Sequence, residues 1–141
     1  MLGVDPGERR VGFAISDPDR VVATPHSTVD VSRGAGAARV AAAIAEVVAT
    51  TGAAAVVLGL PRNPSGREGR AAQRARAIAA AVHDRCGLTV DMWDERHTTA
   101  QAQRQMLERG ASRATRAAAV DRLAATLILQ SYLDAGRARS T

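Results

Sequence analysis

The chain has 141 residues, a formal net charge of +5 and a sequence pI near 11.1. This length fits one domain that buries a core without disulfides or a structural metal, and no apolar run approaches the ~18 residues that a membrane span needs. All 19 basic residues are arginines, and the absence of lysine excludes Schiff-base chemistry and the P-loop motif G-x-x-x-x-G-K-[ST].

The excess of arginine over acidic residues favours a polyanionic partner, because positive charge attracts phosphate backbones. A merely basic, solvated surface is the alternative. The single cysteine, Cys86, cannot form an internal disulfide, which suits a reducing cytosol. We expect a packed thiol there, with pairing between chains as the alternative. The N-terminus lacks the basic start and apolar run of a secretory signal, so a cytoplasmic location without membrane interaction is predicted.

The first part of the chain is predicted to form three strands. Residues 2–5 and 11–16 are predicted as strands of a hairpin, because Pro6-Gly7 between them is turn chemistry. A third strand is predicted over residues 21–31. Pro25 interrupts this strand, which indicates an edge position or a bulge.

Helices and strands then alternate. Helical spacing of apolar residues predicts a helix over residues 36–50, stopped by Gly52. The continuous apolar run 54–60 is typical of a strand covered on both faces, and the turn formers of residues 61–66 predict a loop. An Ala-rich helix over 68–85 is ended by Gly87.

The C-terminal part is predicted as a strand followed by two helices. The strand covers residues 89–93. Thr98 is a candidate N-cap, and Gln101 completes a capping box, so a helix is expected from there to Gly110, a favoured C-cap. The last helix is predicted over residues 113–134. This order implies a single α/β domain, 1–141, with a mixed sheet, helices on its faces and a ligand site where the strands end.

Three carboxylates occupy positions where a charge is expensive. Asp5 ends an apolar strand; a turn-initiating Asp is the alternative. Glu95 follows the strand that ends at Trp93; the alternative is a surface salt bridge with Arg96. Asp121 shares a helix face with alanines and an isoleucine, where an ionised carboxylate is costly unless it is paired with an arginine or bound to a metal.

One explanation covers all three carboxylates. Mg²⁺ takes oxygen ligands and keeps several waters, so a few convergent carboxylates suffice. Two such ions roughly 3.5–4 Å apart can activate the attacking water and stabilise the leaving oxygen of a phosphodiester. No competing metal motif is present, because there is no H-E-x-x-H or cysteine pair, and the histidines lack ligand-like spacing.

Four motifs occur in order over nearly the whole chain: Asp5-x-Gly7-x-x-Arg10-x-Gly12 with Ser16-Asp17, Gly59-Leu60-Pro61 with Gly66 and Gly69, Trp93-Asp94-Glu95-Arg96 with Thr98-Thr99, and Asp121 ahead of Ala124-Ala125 and Ile128-Leu129-Gln130. Together they closely resemble the bacterial YqgF/RuvX family. The resemblance implies an RNase H-like fold, a five-stranded sheet whose first three strands are antiparallel and whose last two are parallel.

The resemblance also implies a catalytic, metal-binding triad of Asp5, Glu95 and Asp121, which would hold Mg²⁺ or Mn²⁺, as two ions. Family members are described as nucleases that mature pre-16S ribosomal RNA and also as Holliday junction resolvases. The family usually carries lysines around Arg10 and just before the last Asp, where this chain has arginines. Charge is kept, but a lysine-specific role is not.

Arginines in or beside the motifs are the candidates for binding phosphates: Arg10, Arg62, Arg96 and Arg116. Arg67, Arg70 and Arg74 predict a basic stripe on the second long helix, with a solvated face as the alternative. The chain has only three aromatic residues, so a base-stacking platform is not expected. Recognition is predicted to depend on backbone charge and nucleic-acid shape, with strong salt dependence.

Several functions stay open at this point. The first motif also resembles the phosphate loop of actin-like sugar kinases, but those need two such domains to enclose ATP. A non-catalytic nucleic-acid-binding module is a further alternative, although such modules usually lose a carboxylate. Among nucleases, 5′ maturation of pre-16S rRNA is favoured and needs one cut, so a monomer suffices. Holliday junction resolution needs two symmetric cuts and hence a homodimer.

Overall fold

The computed structural model describes residues 1–61, 65–95 and 113–140, and in the last segment it describes the side chains of residues 122–137. Within these ranges the chain forms five strands and three helices: β1 Leu2–Pro6, β2 Arg10–Ser16, β3 Ala23–Asp30, α1 Ala37–Thr51, β4 Ala55–Leu60, α2 Arg70–Cys86, β5 Thr89–Asp94 and α3 Arg113–Ser140. The helix predicted to begin at Thr98 lies outside the described residues. None of the helices described is long and apolar enough to cross a membrane.

The five strands form one sheet in the order β3-β2-β1-β4-β5. β1 pairs antiparallel with β2, and β2 with β3, whereas β1 and β4, and β4 and β5, are parallel. The predicted mixed sheet is therefore confirmed. The central strand is β1, the strand that carries Asp5.

The strand β3 lies at an edge of the sheet, as Pro25 predicted, because a residue without an N–H cannot join a central ladder. Phe13 pairs with Ser27 and Ala14 with Pro25, so the register shifts by one residue at His26. The predicted bulge is thus confirmed.

The third strand begins at Ala23 and not at Val21 as predicted. The N–H groups of Val21 and Val22 donate to Asp17 Oδ1 at 2.7 and 2.8 Å, so they serve the preceding turn. These two donors also hold the pKa of Asp17 below its ordinary value, because they stabilise the carboxylate.

Helix ends follow the glycines in two of the three helices. Gly52 after α1 and Gly87 after α2 adopt the left-handed conformation, with φ of 70° and 68°, and their N–H groups cap the helices. The prediction was wrong at the start of α2, which begins at Arg70 because Glu68 remains outside the helix and pairs with Arg76 at 2.6 Å.

The third helix extends beyond the predicted end at Asp134 to Ser140. Gly136 within it weakens a helix by roughly 1 kcal/mol. Contacts on either side offset this cost: Arg137 pairs with Asp134 and donates to the carbonyl of Val21 at 2.8 Å.

The sheet separates two cores, because successive side chains of a strand point to opposite faces. Leu2 and Val4 belong to the core shared with α1 and α2. Gly3, between them, faces α3, and a Cβ at Gly3 would lie 2.7 Å from Leu129 Cβ. The core on this second face consists of Ala14, Ala23, Val57, Ala125, Ile128, Leu129 and Leu133. The helix α3 therefore packs closely on the central strand that leads to Asp5.

Candidate functional site

Among the residues whose side chains are described, Asp5 is the one charged residue that is buried, with 3% of its surface exposed. It lies in β1 opposite Gly12 of β2, and by strand alternation it faces α3, as Gly3 does. Its carbonyl accepts the Gly7 N–H at 3.1 Å, which begins the turn to β2. A carboxylate buried to this degree is stable only with hydrogen bonds or a cation close by.

Glycines lie beside Asp5 on both neighbouring strands. Gly12 is its partner on β2, and on β4 Gly59 follows Leu58, the partner of Val4. Neighbouring residues of a sheet project to the same face. No side chain therefore competes for space at these two neighbouring positions.

Glu95 directly follows β5, and its side chain lies over Gly59. A Cβ built at Gly59 would be 2.8 Å from Glu95 Oε1 and 2.7 Å from Ile128 Cδ1 of α3. Real Cβ atoms do not approach other atoms this closely, so the absent side chain makes the room that Glu95 occupies. The structure thus places Asp5 and Glu95 on the same face of the sheet. Asp5 lies on the strand next to Gly59, and the Glu95 side chain lies over Gly59.

Asp121 belongs to the helical backbone of α3, but its side chain lies outside the described residues. The residues three, four and seven positions later, Ala124, Ala125 and Ile128, are buried on the sheet as predicted. Leu129 contacts the Gly3 position, and Leu133 shares a pocket with Met1. From Leu133 towards its N-terminus, α3 therefore runs towards the end of β1 that carries Asp5.

The chemistry of the donor set fits a hard divalent cation, because Asp5 and Glu95 both supply carboxylate oxygens. Of the histidines, His26 is exposed with Nδ1 beside Ser27 Oγ and lines a pocket with Arg122 and Leu123 of α3. His83 Nδ1 lies 2.9 Å from the Leu88 carbonyl at the end of α2. Among the residues whose side chains are described, no three His, Cys, Asp or Glu form a metal cluster. The predicted third ligand, Asp121, is outside that set.

Arg10 is half-buried at the start of β2, and its strand partner is Asp30. The neighbouring Arg9 pairs with the Asp30 carboxylate at 3.3 Å. The Ser32 N–H first, and the Arg9 guanidinium after it, hold the pKa of Asp30 below its ordinary value. Arg9, Asp30 and Arg33 line one pocket, so positive charge collects at the end of β2 that faces the turn after Asp5.

The other predicted phosphate ligands are not placed by the structure. Arg62 and Arg96 lie outside the described residues, and Arg116 is helical with its side chain outside them. The predicted stripe on α2 is interrupted: Arg67 and Arg70 are exposed, but Arg74 is half-buried and turns inward.

Two of the three aromatic residues join β5 to α3, a contact that sequence reasoning missed. Trp93 Nε1 donates to Ser131 Oγ at 3.0 Å, and the Tyr132 hydroxyl donates to the Asp91 carboxylate. The two rings meet edge to face, with centroids 5.5 Å apart. This contact ties the strand that precedes Glu95 to the helix that carries Asp121.

We expect Tyr132→Phe to lower the free energy of unfolding by about 1–3 kcal/mol, because it leaves the half-buried Asp91 carboxylate without this donor. Urea denaturation at neutral pH measures the loss. The Asp91→Asn variant and the double variant complete a double-mutant cycle, and we expect a coupling of at least about 0.5 kcal/mol. Strict additivity would contradict the proposed contact energy.

Comparison of the sequence with known proteins identifies a family. The family model described as "RuvX: Holliday junction resolvase" matches residues 1–135. Relatives named "Putative pre-16S rRNA nuclease" include one from Pelotomaculum thermopropionicum, 41% identical over 99% of this chain and 90% of its own length. Another, from Mycobacterium tuberculosis, is 44% identical over 94% of this chain and 77% of its own length.

Solved structures show the same fold. The chain of Thermus thermophilus RuvC superimposes with a TM-score of 0.58 and 19% identity, covering 96% of this chain and 97% of that one. The same protein in complex with a Holliday junction substrate gives a TM-score of 0.58 and 18% identity, covering 96% of each chain. The RNase H-like fold predicted from the sequence is therefore confirmed. With the family model matching all but the last residues and relatives above 40% identity, the chain belongs to the RuvX family.

Proposed function

We propose that this protein is a divalent-metal-dependent endonuclease that hydrolyses phosphodiester bonds in the 5′ maturation of pre-16S ribosomal RNA. The observation that carries the proposal is the pair of carboxylates on one face of the sheet: Asp5, buried in the central strand, and Glu95, lying over Gly59. A nuclease that binds metal needs such a pair beside open space for a phosphate.

Asp5, Glu95 and Asp121 are the proposed ligands of Mg²⁺ or Mn²⁺, held as two ions. When bound, such ions activate the attacking water and stabilise the leaving oxygen. Asp5, in the central strand, would be the central ligand of the site, and Glu95 and Asp121 would complete it. The burial of Asp5 restricts bulk water, which strengthens its interaction with a cation.

The chain's arginines are proposed to bind the nucleic-acid backbone. Arg10 lies at the turn that follows Asp5, and Arg62, Arg96 and Arg116 are assigned to phosphates near the cleaved bond from their places in the sequence. Each phosphate contact adds roughly one unit to the slope of log affinity against log salt. Binding should accordingly weaken steeply as salt is raised.

The substrate is proposed from two different sources. The names of the relatives favour pre-16S rRNA, and the description of the family model favours a four-way DNA junction as the second candidate. One cut suffices in rRNA maturation, so a monomer is the simpler assembly there. Junction resolution needs a two-fold dimer that presents two sites. A cytoplasmic location is proposed to go with this role.

Cleavage of two substrates side by side tests the proposal. Wild-type protein and Asp121→Asn are incubated with a pre-16S leader RNA and with a four-way DNA junction, each with Mg²⁺ and with EDTA, and the molar mass is measured by light scattering. We expect Mg²⁺-dependent cleavage of the RNA by the wild type and none by the variant.

Cleavage of the junction alone, by a dimer, would replace the proposed substrate with the second candidate. Tight binding of either nucleic acid without cleavage in Mg²⁺ or Mn²⁺ would contradict the enzyme and favour the non-catalytic module.

A further inference from the structure

The turn that follows Asp5 is held by a side chain from the opposite face of the sheet. Arg74 of α2 donates from Nη1 to the carbonyl of Pro6 at 3.3 Å and to the carbonyl of Gly7 at 3.0 Å. These two carbonyls directly follow Asp5 in the chain. The helix α2 packs on the core that contains Leu2 and Val4, whereas Asp5 faces α3.

The turn itself leaves little room for adjustment. A Cβ at Gly7 would lie 2.5 Å from the carbonyl oxygen of Arg10, so a larger residue there would disrupt the turn. Pro6 fixes its own φ and has no N–H to donate. Arg74 adds to this constraint, because it donates to the carbonyls of both Pro6 and Gly7.

The placement of Arg74 is costly, which argues against an incidental contact. Its Nη2 is buried and has no hydrogen-bond partner in the part of the chain whose side chains are described. Burying a donor of a charged group without a partner is unfavourable, because the group gives up its hydrogen bonds to water. Arg70 and Arg85 on the same helix are exposed, so an arginine of this helix need not turn inward.

We propose that Arg74 is a positioning residue of this nuclease: it fixes the Pro6-Gly7 turn and thereby the backbone from which the Asp5 carboxylate reaches the metal site. The inference rests on the proposed function, because it gives Arg74 a role through Asp5. Arg74 acts from the far face of the sheet and is not assigned a contact with substrate. Its effect is on the geometry, and hence the affinity, of the carboxylate site.

The test compares Arg74→Gln and Arg74→Lys with Arg85→Gln, a matched control at an exposed position of the same helix. Mn²⁺ binding is measured by EPR of the free ion, and cleavage is measured as a function of Mg²⁺ concentration, all below the thermal transition of each variant. Residues that orient a metal ligand typically contribute 10–100-fold in metal affinity. We expect about a 10-fold weaker Mn²⁺ affinity and a similar rise in the Mg²⁺ requirement for Arg74→Gln.

Arg74→Lys should lie between the wild type and Arg74→Gln, because an ammonium supplies donors without the planar fork of a guanidinium. Arg85→Gln should stay within twofold of the wild type. Hydrogen exchange of the Gly7 amide gives a readout without metal, and it should speed up in Arg74→Gln alone.

Two results would overturn the inference, and they are distinguishable. If the wild type binds Mn²⁺ and cleaves, but Arg74→Gln matches Arg85→Gln in affinity and Gly7 exchange, Arg74 has no positioning role while the nuclease proposal stands. If the wild type binds no Mn²⁺ and cleaves nothing, the proposed function fails, and the inference fails with it.

Discussion

Asp5→Asn is expected to abolish cleavage, with a loss well beyond the ~100-fold typical of residues that only support a metal ligand. Asparagine has the same shape as aspartate but lacks the charge that attracts a divalent cation. The residue is 3% exposed, so a carboxylate on the protein surface cannot substitute for it at this buried position. Cleavage at saturating Mg²⁺ measures the effect.

The same substitution should leave the fold intact and change its response to metal. Without metal, the variant should fold as the wild type does, because asparagine keeps the size and shape of aspartate. With Mg²⁺ added, the wild type alone should gain stability, since a ligand that binds the folded state stabilises it. Thermal melts with and without Mg²⁺ separate these states.

Asp84→Asn is the matched control, because Asp84 is exposed on α2. It should cleave and melt as the wild type does in both conditions. Wild-type cleavage by Asp5→Asn would refute the assignment of the metal site.

Gly59→Ala is expected to reduce cleavage by about 100-fold while the protein still folds. The new Cβ would lie 2.8 Å from Glu95 Oε1 and 2.7 Å from Ile128 Cδ1. Both atoms are ends of flexible side chains, so they can move at a cost of about 1–3 kcal/mol. Glu95 then leaves its place, and a displacement of about 1 Å in a catalytic group can cost 10²-fold.

Gly36→Ala serves as the control for the Gly59 variant, because a Cβ at Gly36 meets nothing within 4 Å. Its activity should equal that of the wild type, and because Gly36 is the N-cap of α1, alanine there should cost about 0.5–1 kcal/mol of stability. Rates are compared per folded molecule, with the folded fraction taken from urea denaturation. Full activity of folded Gly59→Ala would show that cleavage does not need Glu95 in this position.

Local patterns were sufficient to predict most of the fold. Gly52 and Gly87 end helices where expected, and Pro25 gave the edge strand, because each of these residues constrains its own backbone. The end of α3 and the start of α2 were wrong, since contacts from distant or preceding residues, at Arg137 and Glu68, decide them.

The three carboxylates were predicted as one set, but the packing that positions them was not. Asp5 is singled out by the cost of a charge at the end of an apolar strand. The space that Gly59 leaves for Glu95 depends on the parallel pairing of β4 with β5 and on the packing of α3, which no periodicity within one segment records. A glycine inside a continuous apolar strand was the available signal, because such glycines often mark a close approach.

The inward orientation of the Arg74 side chain could not be predicted from the sequence either. The pattern of α2 identifies Ala72, Ala75 and Ile78 as its buried face, and a residue at the flank of that face is compatible with either solvent or burial. Its partners lie 67 and 68 residues away in the chain. Only the position of the β1–β2 turn relative to α2 distinguishes the two cases.

The irregular outer strand has a consequence for self-association. An open strand edge normally allows a second chain to extend the sheet, but β3 carries Pro25, which lacks an N–H, and a bulge at His26, and both features oppose such pairing. If two copies bind a branched substrate together, the β3 edge of the sheet is not expected to form the interface between them. A symmetric pair is expected to meet through helices or through the opposite margin at β5.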